Sequence, residues 1–148
     1  MVNISALVKQ VLENVPERTR EVVSRRFGLA TGAPETLEKI GENLKITRER
    51  VRQIEKSGLT QLVKKLPKDI NEFFHIADDH LKTFKGVREE DRFLRELSYL
   101  LREEPSRLLQ IRFLLFLDKR MFYYPDDQTR RAFWSNDQRA ARRVMSFL

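Results

Sequence analysis

Between Thr47 and Glu55 the chain reads Thr-Arg-Glu-Arg-Val-Arg-Gln-Ile-Glu. Wound as a helix at about 100° per residue, this stretch sorts into two faces. Val51 and Ile54, continued by Gly58 and Leu62, make an apolar side, while Arg48, Glu49, Arg52, Gln53 and Lys56 gather opposite. Such side chains carry the donors and acceptors that read base edges, and their cations offset phosphate charge. A solvated helix surface has the same composition, so the flanking sequence must decide.

Charge distribution bears on that choice. The 148 residues carry a formal charge of +7, which favours an acidic polymer as partner. Residues 1–67 hold 13 Lys and Arg against 8 Asp and Glu, a net of +5, and residues 68–148 hold 16 against 14, a net of +2. The basic excess therefore lies mainly in the half that contains the two-faced stretch. Apolar residues make up 41% of the chain, enough for a folded core. With no cysteine, disulfides, thiolate metal sites and cysteine nucleophiles are excluded. The N-terminus lacks the pattern of a signal peptide, and the apolar run Leu108–Leu117 is too short to span a bilayer. The expected setting is a soluble, cytoplasmic, nucleoid-associated protein.

Around the central stretch the pattern is helical throughout. Ile4, Leu7, Val8, Val11 and Leu12 form an amphipathic stripe. Pro16 suits the first turn of a second helix running to Phe27, with Val22, Val23 and Phe27 inward and Gly28 as its stop. Residues 29–35 hold Gly32 and Pro34 and read as a loop. Thr36 can cap a short helix from Leu37 to Asn43; after a turn through Leu44, Lys45 and Ile46, Thr47 caps a long helix that could reach Leu66. A short capped helix, a tight turn and a longer helix with a polar outer face make a helix-turn-helix.

Residues 27–41 (Phe-Gly-Leu-Ala-Thr-Gly-Ala-Pro-Glu-Thr-Leu-Glu-Lys-Ile-Gly) and 46–55 (Ile-Thr-Arg-Glu-Arg-Val-Arg-Gln-Ile-Glu) resemble region four of the housekeeping-type bacterial sigma factors. The resemblance runs from about Val15 to Leu66. It implies a four-helix domain that binds the minus-35 promoter element and the flap of the RNA polymerase β subunit. It further implies that Arg48, Glu49 and Gln53 face bases, that Arg50 and Arg52 lie near phosphates or neighbouring protein, and that Thr47 meets a phosphate at the helix N-terminus. Lys56 belongs to the same face. Lys45 stands where the family often has glycine, which predicts strain or an altered turn, and Gly58 falls inside the long helix. Nothing before residue 16 resembles the sigma region that melts the downstream promoter element, so the chain is not expected to be a complete sigma factor.

In the second half no family is recognised. Ile70, Phe73, Phe74, Ala77, Leu81 and Phe84 predict one inward stripe over residues 68–85, with Gly86 as breaker. Phe93, Leu94, Leu97, Leu100 and Leu101 predict another, and Ser106 is placed to cap a third helix to Asp118. Met121–Tyr124 and Arg131–Trp134 read as a small hairpin, after which Asn136 would cap a last helix carrying Arg139, Arg142 and Arg143. The apolar ending Met-Ser-Phe-Leu suggests part of a longer protein.

Other chemistries find less support. His75 and His80 flank Asp78 and Asp79, but histidines five apart do not share a helix face, so no metal is expected. Phe122, Tyr123, Tyr124, Phe133 and Trp134, with Arg130 and Arg131 beside them, could stack on unpaired bases or dock a protein; a small aromatic core is the plainer reading. With no phosphate loop, serine elbow or placed histidine, neither catalysis nor a cofactor is expected.

The expected architecture is thus mostly α. Residues 1–67 form a four-helix, helix-turn-helix DNA-binding domain, and residues 68–148 a helical module with a small β-hairpin, serving interaction or dimerisation. Expected partners are double-stranded DNA with a minus-35-like element, the polymerase β subunit and a second copy of the chain. Two functions stay open: sequence-specific DNA binding in transcription, or a module that holds the β flap with DNA contact incidental.

Overall fold

A computed structural model describes residues 1–146. The chain divides into two compact units, one of residues 3–68 and one from residue 69 onward. Both are built mainly from helices.

The first unit holds α1 (Ile4–Leu12), α2 (Glu17–Phe27), α3 (Leu37–Leu44) and α4 (Arg48–Lys64). Each boundary has a local cause. Asn3 caps α1 by accepting from the Ala6 N–H at 3.0 Å, and Thr36 caps α3 by accepting from Lys39 N–H at 3.1 Å. α2 ends in the left-handed Gly28 (φ 66°), where the N–H groups of Gly28 and Leu29 return to the carbonyls of Arg25 and Ser24. α3 ends the same way at Lys45 (φ 59°), so a side chain sits in a conformation that favours glycine, and the expected strain is present. α4 stops at Lys64, two residues before the expected end, and Asn14 Nδ2 donates to the Lys65 carbonyl at 3.0 Å.

Helices α2, α3 and α4 pack on one another. Their shared core is Val22, Ile40, Val51 and Ile54, with Leu37, Leu44 and Ile46 packed at its edge. Burial of such side chains supplies roughly 1.5–3 kcal/mol each, and here it fixes the short helix and the long one in a single arrangement. Gly58 does not end α4. It is buried inside the helix, where an added Cβ would lie 2.6 Å from Thr19 Cγ2 and 3.2 Å from Val23 Cγ2. The missing side chain is what lets α2 approach α4.

The second unit runs α5 (Ile70–Lys82), β1 (Val87–Glu89), α6 (Glu90–Leu100), a 3-10 turn (Pro105–Arg107), α7 (Leu108–Leu115), β2 (Phe122–Tyr124), β3 (Phe133–Ser135) and α8 (Gln138–Ser146). The hairpin expected from the aromatics forms, and β1 adds to its far side to give an antiparallel sheet of order β1-β3-β2. Val87 pairs with Ser135 on one edge and Phe122 pairs with Ser135 on the other. Phe73, Phe93, Leu97, Ile111, Phe113, Leu114 and Trp134 are fully buried.

Three expectations need correction here. Phe84 and Leu100 do not turn inward but are exposed, because their helices end close by and their positions fall past the edge of the buried stripe. Ser106 caps nothing: Pro105 starts the helical turn one residue earlier, and Ser106 Oγ reaches Glu104 Oε2 at 3.4 Å instead. The last helix is capped by Asp137, whose Oδ1 accepts from Arg139 N–H at 2.9 Å, while Asn136 donates to Asp78 Oδ1 at 2.8 Å. The apolar ending noted in the sequence is not among these, since it falls partly on Phe147 and Leu148, outside the described residues. Among the described residues, no helix is long and apolar enough to cross a membrane.

Candidate nucleic-acid interface

The α3–turn–α4 segment positions the seven residues singled out in the sequence. Thr47 has extended backbone (φ −73°, ψ 155°) and its hydroxyl accepts from Arg50 N–H at 3.0 Å, which starts α4 and leaves its first turn facing outward. Val51, Ile54, Gly58 and Leu62 are buried on one side of α4. The opposite side is open: Thr47, Arg48, Glu49, Arg50, Arg52, Gln53 and Lys56 are all exposed. Arg48, Glu49, Arg52, Gln53 and Lys56 share one arc at the helical spacing, and Arg50 lies beyond Gln53, towards the Ile54 side.

Several of these side chains are paired with one another or with α3. Arg52 forks onto Glu49, Nε to Oε2 at 2.9 Å and Nη2 to Oε1 at 2.6 Å. That fork holds the Glu49 carboxyl below the usual carboxylate range and raises the Arg52 guanidinium. Arg48 Nε meets Glu38 Oε1 at 2.8 Å. Both pairs are solvent-exposed, so each contributes little to stability and can be exchanged for a ligand. Among the described residues, Arg50 and Lys56 form no ion pair.

Behind the exposed face lies a clamp that residue patterns did not reveal. Arg25, on α2, forks onto Glu35 with both contacts at 2.8 Å, and also donates to the Asn43 side chain on α3. Arg26 donates to the Glu35 carbonyl at 2.9 Å and pairs with Glu55 on α4. The Arg25 fork keeps the Glu35 carboxyl below its ordinary range, and Glu35 raises Arg25 in return. Two adjacent arginines thus tie α2 to the α3 entry and to the middle of α4. Gly41 is a second feature missed. A Cβ there would lie 2.8 Å from the Ile46 carbonyl oxygen, so only glycine lets the turn fold back on α3. The available signals were the Arg-Arg pair facing Glu35 and Glu55, and a glycine five residues before the turn's last apolar residue.

This arrangement can present donors and acceptors to an anionic polymer from one rigid helix, with the first turn of α4 leading. Residues 11–64 match the family model described as Sigma-70, region 4. Over 61 residues the chain is 44% identical to the RNA polymerase sigma factor RpoD of two Helicobacter pylori strains, ATCC 700392 / 26695 and J99 / ATCC 700824. That segment is 40% of this chain and only 9% of each relative. The matched stretch contains the whole region 4-like helix-turn-helix and nothing of the second unit beyond residue 68. Of the hairpin aromatics in that second unit, Phe133 and Trp134 are buried, and Tyr124 and Tyr123 pack against them. Trp134 is buried, sits 4.8 Å from the Phe116 ring and 5.1 Å from Tyr123, and donates from Nε1 to Glu90 Oε2 at 2.7 Å. His80 contacts Glu96 Oε1 at 2.8 Å and Asp78 serves Lys82 and Asn136. Among the described residues no group of three His, Asp or Glu is arranged to hold a metal.

Proposed function

We propose that the first unit binds double-stranded DNA in transcription, laying the start of α4 in the major groove of a minus-35-like element. The observation that carries this reading is the fully exposed polar arc of α4 within a region 4-like helix-turn-helix. Arg48, Glu49 and Gln53 meet base edges: Arg forks onto guanine, Gln pairs with adenine, and Glu accepts from a cytosine amine. Thr47, Arg50, Arg52 and Lys56 contact phosphates and set the register. The exposed Arg48–Glu38 and Arg52–Glu49 pairs open on contact, so binding exchanges weak surface pairs for phosphate and base contacts. Residues 68–148 act as an interaction or dimerisation module attached to this unit. Arg48→Ala and Gln53→Ala each cost about 1–3 kcal/mol on the preferred duplex and relax preference at one position. Unchanged affinity and preference in both variants would remove base reading by this face.

A second reading is that the unit holds the flap of the RNA polymerase β subunit, with DNA contact incidental. It draws support from the same two ion pairs, since Glu38 and Glu49 offset part of the face's positive charge. Association with purified polymerase that survives Arg48→Ala and Gln53→Ala favours this reading. Loss of association with either substitution counts against it.

A further inference from the structure

On the second unit, α6 buries Phe93, Leu94 and Leu97 and turns an unusual face outward. Tyr99 is 84% exposed and Leu100 50%, although both are large and apolar. They line an open groove of about 320 Å³ with His80 of α5 and Arg95 and Glu96 of α6. The two adjoin on one helix face, so a partner seated in the groove would bury both.

Charge decides what kind of partner fits. Glu96 is the groove's one carboxylate, and it is already engaged by Arg88, at 3.0 Å through Nε, and by His80 Nε2 at 2.8 Å. Arg95 and its neighbour Arg92 are exposed and, among the described residues, form no ion pair. Tyr99 and Leu100 thus stand at the groove's exposed side beside Arg95, with Arg92 one turn earlier, while the paired His80 and Glu96 are its less exposed groups. Two copies meeting face to face would bring these arginines against each other, which opposes self-association through this surface. A nucleic acid strand would find one tyrosine to stack on, and Leu100 beside it offers neither a stacking plane nor a hydrogen bond.

We propose that the α5–α6 groove docks an acidic peptide segment of another protein, an apolar anchor resting on Tyr99 and Leu100 and carboxylates meeting Arg95 and Arg92. This is the helix-in-groove mode of recognition, with affinity from the buried anchor and orientation from the two arginines. It stands apart from the DNA reading, because no residue of the first unit takes part.

The test uses the full chain and a fluorescein-labelled peptide of about 16 residues, with leucines at helical spacing and glutamates between them. Anisotropy should report saturable binding that weakens about tenfold or more in Tyr99→Ala and in Arg95→Glu. Both positions are exposed, so neither variant threatens the fold, and circular dichroism confirms it. Replacing the probe's leucines by alanine, or its glutamates by lysine, should abolish binding. The proposal is overturned if the acidic probe does not bind, or if both variants bind it as well as the parent. Tighter binding of an oligothymidine than of the peptide, lost in Tyr99→Ala, would overturn it too. So would self-association in sedimentation that disappears in Tyr99→Ala.

Discussion

Replacing Gly58 by alanine sets two known effects against each other. In an exposed helix the change stabilises by about 1 kcal/mol, because alanine has the better helix propensity. At Gly58 the new Cβ would stand 2.6 Å from Thr19 Cγ2 and 3.2 Å from Val23 Cγ2, well inside the roughly 3.5–4.0 Å at which carbon atoms rest. Thr19 and Val23 are β-branched and have little rotamer freedom on a helix, so relief requires α2 to back away from α4. Overpacking of this kind costs about 1–3 kcal/mol. The account predicts a net loss of about 1 kcal/mol for Gly58→Ala. Trimming Thr19→Ala removes the closer contact, so in that background Gly58→Ala should be neutral or stabilising by up to about 1 kcal/mol. The resulting coupling, about 1–2 kcal/mol, is the signature of direct contact. Native-state hydrogen exchange of α2 and α4 amides reads it in the full chain without assuming that both units unfold together. A stabilisation of about 1 kcal/mol in both backgrounds would refute the close packing of α2 on α4.

Three further outcomes follow from the same contacts. Thr47→Ala removes the cap of α4 and should cost about 1 kcal/mol, seen as faster exchange confined to its first turn. Glu35→Gln breaks the Arg25 fork and should cost about 1.5–3 kcal/mol at neutral pH. Because the folded Glu35 carboxyl is depressed by Arg25, the parent gains stability from it above the usual carboxylate range and loses that gain as pH falls through the folded value; the variant should show a flatter acid limb. Trp134→Phe leaves Glu90 without the indole N–H and opens space beside Phe116 and Tyr123, which should destabilise the second unit by about 2–3 kcal/mol in urea titrations followed by circular dichroism.

Much of the first unit was legible because its signals are local. Thr36 and Thr47 are caps that act over three residues, Gly28 ends a helix by its own conformation, and the alternation of Val51, Ile54, Gly58 and Leu62 needs only helical geometry. What escaped were contacts made across sequence distance. Arg26 reaches Glu55 and Arg48 reaches Glu38 only once α2, α3 and α4 have packed. The second unit shows the same division. Its helices and its hairpin follow from periodicity and aromatic content, whereas β1 is three residues long and becomes a strand only by pairing with β3. Asn136 and Asp137 are both good caps by type, and the choice between them was made by Asp78, far away in sequence, which takes the asparagine. The exposed face of α4 was read from the sequence alone, and its ion pairs were not.

The most direct test of the central claim is fluorescence anisotropy of the full chain on a duplex carrying a minus-35-like hexamer, against a scrambled duplex, across a salt series. The account predicts tighter binding to the hexamer at every salt concentration, with both affinities falling as salt releases the phosphate contacts but the ratio between them persisting. Equal affinities that fall together with salt would contradict base reading by α4 and reduce its face to an electrostatic footprint.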